Sequence, residues 1–218
     1  MGDRITGTAF FPGGAGLWGV TKDAELPSFP ERGVMVLGHD FHSEDAFRQS
    51  LEKGTEVPGN PTWRNLLELL QDAEIKPEQC FFTNCYMGLR CGRGTTGRFP
   101  GSADAGFVNR CRSFLLRQIS IQRPQVILTL GVWVPPFIAP LSQHLEQWAA
   151  ASSLTAMDEI GPVVREVVFR ELDDHTCSVA ALTHPSLRPA NVRRRRFNAL
   201  AGYSAELAIV RAAMKSSM

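Results

Sequence analysis

The chain has 218 residues, 44% of them hydrophobic, which suits one sizeable α/β domain over residues 1–218 better than two small ones. Its net charge of +1 hides an asymmetry: residues 86–117 carry six Arg against one acid, and residues 184–218 carry six Arg and one Lys against one acid, leaving the rest strongly acidic. No apolar stretch approaches the roughly 20 residues of a membrane span, and Met1-Gly2-Asp3-Arg4 has no charged-then-apolar leader pattern, so a soluble cytoplasmic protein is expected.

Residues 1–31, rich in Gly, Pro and aromatics, read as an irregular lead-in that packs on the domain. Residues 34–37 form a first strand and residues 43–60 a loop with a short helical piece. Thr62 is placed to cap a helix over 63–73, whose apolar face is Leu66, Leu67, Leu69 and Leu70. Residues 80–83 are a second strand ending at Asn84, and 86–104 a loop dense in Gly and Arg. A helix over 105–122 turns Phe107, Phe114, Leu115 and Ile119 inward, and Arg123-Pro124 ends it. Residues 126–130 are a third strand closed by Gly131. Residues 137–151 read as helix, 163–169 as an extra edge strand, 179–182 as the fourth core strand, and 191–214 as one long closing helix. Strands alternating with helices at these spacings imply a three-layer α/β/α sandwich around a four-stranded parallel sheet.

Cys80, Cys85, Cys91, Cys111 and Cys177 form an odd set without a C-x-x-C pair, which points to reduced thiols and no metal or cluster site. Two polar motifs end apolar runs. Gly38-His39-Asp40-Phe41-His42 follows the first strand, and His184-Pro185-Ser186 follows the fourth. The carboxyl edge of a parallel sheet is where ligands bind. An Asp and a His delivered there suit hydrolysis, with a carboxylate for water and an imidazole for a leaving group.

Taken together, these segments resemble the uracil-DNA glycosylase superfamily. Gly38-His39-Asp40-Phe41-His42 is similar to the family's G-Q-D-P-Y-H loop. Pro61-Thr62-Trp63-Arg64-Asn65-Leu66 is similar to the helix start after it. Phe81-Phe82-Thr83-Asn84 is similar to the strand ending in a base-reading Asn, residues 123–131 to the third strand with its closing Gly, and His184-Pro185-Ser186-Leu187 to H-P-S-P-L. The chain departs from the pattern at His39, where Gln stands in the best-known branch, at Phe41, where Pro stands, and in having Leu187 directly after Ser186. The N-terminal cysteines of the iron–sulfur branches are absent.

The resemblance implies that uracil is flipped from DNA and its glycosidic bond hydrolysed without metal or organic cofactor, releasing free uracil and leaving an abasic site. It implies that Asp40 holds the attacking water and steadies the cationic sugar, that His184 donates to the departing base, and that Asn84 reads the base edge. Gly38, His39 and His42 belong to the same loop; each His either lines the pocket or solvates the loop. Phe41 and Phe47 are both candidates to stack on the base. Leu187 is the expected wedge, beside Ser186 and Arg188 on the DNA. Arg193, Arg194, Arg195 and Arg196 are expected to contact phosphates, though four consecutive helical residues cannot all face DNA. The loop of Arg90, Arg93 and Arg98 offers a second basic jaw. A monomer is expected. Three alternatives stay open: a binding protein of this fold without catalysis, a different hydrolase using Ser186 or a cysteine, and a glycosylase for another deaminated or mismatched base. No G-x-S-x-G elbow supports the hydrolase with a serine nucleophile.

Overall fold

The computed structural model describes residues 7–11, 14–18, 25–91 and 96–215. Its centre is a five-stranded sheet in the order β2-β1-β3-β5-β4, formed by β1 (Val34–Gly38), β2 (Cys80–Asn84), β3 (Val126–Leu130), β4 (Val163–Val168) and β5 (Thr176–Leu182). The four expected strands run parallel, and β4 is added antiparallel to β5 at one edge. Strands β1 and β3 are buried along their whole length, as near-continuous apolar runs are when helices cover both faces of a sheet.

Strand alternation divides the core in two. Met35, Leu37, Ile127, Val179 and Ala181 face α3 (Ala105–Gln122), α4 (Val134–Ile138) and the turns around Trp148. Val34, Val36, Leu128, Ala180 and Leu182 face α2 (Pro61–Asp72) and α7 (Gly202–Met214). Phe10 of the lead-in packs on Trp63 and Phe82 of this second core. Asp104 caps α3 by accepting from the Phe107 amide, and Arg123, at φ 47°, ends it in the left-handed region. Its inner stripe is Val108, Cys111, Leu115 and Ile119, whereas Phe114 is exposed, one helical step off the face expected for it.

Four local expectations are corrected. Asn60, not Thr62, caps α2: its side chain accepts from the Thr62 amide at 2.9 Å, and Pro61 opens the helix. Residues 44–53 form a full helix, α1 (Glu44–Lys53), capped by Ser43. The 137–151 segment is α4 followed by 3₁₀ turns, and α5 (Leu154–Ile160) comes after it. The closing segment is not one helix from 191. A short α6 (Arg188–Asn191) leads through a 3₁₀ turn into a hairpin of β6 (Arg196–Phe197) and β7 (Leu200–Ala201), and only then into α7. Asn198 and Ala199, both at positive φ, make the two-residue turn.

Candidate active site

The parallel strands all end at one edge, so the segments after Gly38, Asn84, Leu130 and Leu182 meet there. Two glycines make the approach possible. A Cβ on Gly38 would sit 2.3 Å from the Asn84 Oδ1, and one on Gly131, at φ 88°, would sit 3.1 Å from the His184 Cβ.

Asp40 is bonded through both carboxylate oxygens. Its Oδ1 accepts from the His42 amide at 2.9 Å and from Arg90 Nε at 3.1 Å. Its Oδ2 accepts from Arg90 Nη2 at 2.8 Å and lies 2.8 Å from His39 Nδ1. Burial alone would raise the carboxyl's pKa, but the bonds from His39 and Arg90 outweigh it and hold the group well below the usual carboxylate range. Arg90 is itself 5% exposed. Its remaining N–H groups donate to the carbonyls of Thr96, Arg98 and Gly97, and its backbone pairs with His42. Arg90 is thus a clamp on Asp40 and not part of a DNA-facing jaw. Arg98 is exposed, and Arg93 lies outside the described residues.

His184 sits across the edge, its Nδ1 2.9 Å from the Ser186 hydroxyl. Burial, and then the imidazoles of His39 and His42, lower its pKa to about 4 against the pull of Asp40, so it is neutral near pH 7. Its loop is held from behind. Asn65 on α2 donates to the Pro185 carbonyl at 2.8 Å. Glu206 on α7, fully buried, accepts from the Thr183 amide at 3.1 Å and hydroxyl at 2.7 Å.

The other expected site residues divide. His39 meets Tyr86 edge-on at 5.3 Å and lies nearly parallel to Trp133 at 6.4 Å. It borders a cavity of about 530 Å³ shared with Tyr86, Arg98, Arg112, Trp133 and Phe137. His42 is exposed, at φ 71°, with Nδ1 3.4 Å from the Ser43 hydroxyl. Phe41 and Phe47 both pack on Phe11, at 5.1 and 5.9 Å between ring centres. Asn84 is at the edge but only 2% exposed, its amide 3.5 Å from the Phe10 carbonyl. Ser186 and Leu187 are exposed at the loop tip. Arg193, Arg194 and Arg196 are exposed as well.

Arg188 and Arg195 are corrections. Arg188 is 6% exposed, paired with Glu68 and laid over the Tyr203 ring at 4.9 Å. Arg195 is 1% exposed, 2.8 Å from Asp158 and 3.6 Å from Glu206, and donates to the Ala181 carbonyl at 2.8 Å. Neither guanidinium is offered to a phosphate; both brace the segment after β5. Four of the five cysteines are buried and unsuited to act as nucleophiles: burial pushes the Cys80 and Cys177 thiols up to about 12 and raises those of Cys85 and Cys111.

Sequence reasoning missed four residues: Arg90 as a clamp, Trp133 beside His39, and Asn65 and Glu206 behind the His184 loop. Two carried a signal, being polar residues inside apolar stripes, Asn65 among Trp63, Leu66 and Leu69, and Glu206 among Ala205, Ile209 and Val210. Arg90 and Trp133 carried none.

A parallel sheet with an ionised aspartate and a neutral histidine facing each other at its carboxyl edge defines an α/β protein with an enzyme-like edge site. The model of the uracil DNA glycosylase superfamily matches residues 6–208, nearly the whole chain, and the protein belongs to that superfamily. Membership points to DNA glycosylase activity and to DNA as the substrate. No curated protein matches the chain.

Proposed function

We propose that the protein is a monofunctional uracil-DNA glycosylase that acts as a monomer in the cytoplasm, releasing free uracil and leaving an abasic site. The observation that carries this is the pairing of Asp40 and His184, charged and neutral respectively, across one sheet edge. Breaking a glycosidic bond builds positive charge on the sugar and negative charge on the departing base, as in glycoside hydrolysis. The buried aspartate charge favours the first. The imidazole of His184 favours the second: with the Ser186 hydroxyl donating to Nδ1, its Nε2 carries the proton and donates to the base carbonyl. A neutral donor suits this task because it stays in place without a counter-charge.

Leu187, 49% exposed, is the wedge that replaces the extruded nucleotide. Exposed Arg193, Arg194 and Arg196 supply phosphate contacts. Asn84 reads uracil's adjacent N–H and carbonyl with its amide, which requires the Phe10 segment to yield, and the cluster of Phe11, Phe41 and Phe47 offers the stacking ring. The reaction calls on no metal, organic cofactor or imine-forming lysine, so the strand stays intact.

The test is base release from an oligonucleotide with one uracil, followed by alkali. Strand scission only after alkali, lost in Asp40→Asn and sharply reduced in His184→Ala, is expected. Folded protein that releases no uracil from single- or double-stranded DNA refutes the assignment and turns attention to other deaminated bases.

A further inference from the structure

Asp40 has no room for the water assigned to it. A carboxylate offers about four acceptor sites, and four donors occupy them: the His42 amide and Arg90 Nε on Oδ1, Arg90 Nη2 and His39 Nδ1 on Oδ2. The Asp40 side chain is 7% exposed. What its neighbours leave open is the far side of the His39 ring. Nδ1 lies 2.8 Å from the carboxylate, which can only accept, so Nδ1 holds the proton in that contact; Arg90 Nη2, at 3.5 Å, is a more distant competing donor to the same atom. Nε2 then carries the lone pair. No hydrogen bond from a described residue reaches it, and it is not among the sealed, partnerless buried atoms.

We propose, resting on the glycosylase reading, that His39 is the base for the attacking water, and that Asp40 and Arg90 are positioning residues that fix its tautomer. In the step, a water O–H proton passes to His39 Nε2, the water oxygen bonds to the sugar C1′, and the C1′–N1 bond breaks. Its electron pair leaves on the base, whose carbonyl is held by His184. The proton on Nε2 then returns to solvent or the departing base. The arrangement has the logic of an aspartate orienting a histidine base, where the acid sets the tautomer and does not itself take the proton. Gln, which stands at this place in the pattern the loop resembles, has no lone-pair nitrogen for the task, so the exchange to His changes which residue handles water. His42 is a poor rival because it is exposed and turned toward Ser43. The ionisable groups around His39 are Asp40 and His42 of its own loop, Tyr86 and Arg90 after β2, His184 after β5, and Arg98 and Arg112 across the cavity.

Two measurements test this. Nitrogen-15 NMR of the His39 ring in the free protein reads the tautomer without substrate: a protonated Nδ1 and bare Nε2 are expected, and a proton on Nε2 overturns the proposal. Arg90→Lys, which keeps the charge but not the fork, is expected to shift the ring toward the Nε2–H form. Single-turnover release from a single-stranded uracil oligonucleotide is then compared in His39→Gln, Asp40→Asn and the double variant, each shown to be folded. A loss of about 100- to 10,000-fold is expected in each single variant with DNA affinity kept, with the double no slower than the slower single. A His39→Gln protein with near wild-type rate overturns the proposal. Wild-type protein that releases no uracil fails the glycosylase reading instead, and the ring NMR still decides the tautomer.

Discussion

Removing Glu206 tests how the His184 loop is held. The carboxylate accepts two bonds from Thr183 and lies 3.6 Å from Arg195, with no exposure to solvent. Glu206→Ala therefore takes away both acceptors and one of the two acids facing a guanidinium that is 1% exposed. Hydrogen bonds to charged groups contribute about 1.5–3 kcal/mol each, and breaking a buried ion pair from one side costs about 3–5 kcal/mol. These overlap, because the stranded Arg195 and the unpaired Thr183 are two consequences of one deletion, so a loss of about 3–5 kcal/mol is expected. For a chain of this size that is a fall in Tm of roughly 6–20 °C. Urea unfolding followed by fluorescence of the buried Trp63 and Trp148 reads it directly. Thr183→Val, which removes only the hydroxyl, is expected to lose about 1.5–3 kcal/mol. A Glu206→Ala protein within about 1 kcal/mol of the parent would refute the view that this acid braces the loop.

The pH dependence of stability follows from His184. Its pKa is about 4 when folded and 6.5 when free, so between these values the unfolded chain binds more protons and stability falls as pH drops, by up to about 3 kcal/mol. Urea midpoints at pH 7 and 5 are expected to lie closer together in His184→Gln than in the parent. Asp40, held low, adds a further loss below its ordinary value of 3.8, while Glu206 and Asp158, raised by burial, act with the opposite sign as pH rises. Binding to single-stranded DNA is expected to weaken with salt at a slope of about −0.7 per phosphate contact, reduced in Arg193→Gln and Arg194→Gln. Arg195→Gln is expected to lower the urea midpoint and leave that slope in place. Leu187→Ala is expected to keep stability within about 0.5 kcal/mol and to slow release from double strands more than from single strands, compared at equal substrate.

The four parallel strands were legible because each is a largely buried apolar run, as strands of a sheet covered on both faces are, and the edge they share followed from their direction. The helix over 105–122 was legible through Asp104 at its start and Arg123-Pro124 at its end. Helix α1 was faint because none of its residues is buried, so it has no apolar stripe to read. The hairpin after Arg195 was hidden by a run of Arg that suits a helix and by a turn of Asn198-Ala199, lacking the Gly that usually marks such a turn. At the site, Asp40 and His184 were legible from their place after apolar runs. The inward turn of Arg195, one of four alike, was not, and neither was the fork of Arg90, which depends on carbonyls of the 96–98 loop brought together only in three dimensions.

Strand β4 has one more consequence. Paired on one side only, with β5, it presents its other side to any strand of a second copy. The register breaks between Val164 and Val167, Glu166 turns to φ 53°, and the exposed Arg165 and Glu166 stand in the interruption. An incoming strand would find the ladder broken after two residues and two charges in its path. The irregularity thus blunts this edge as a template for a further strand.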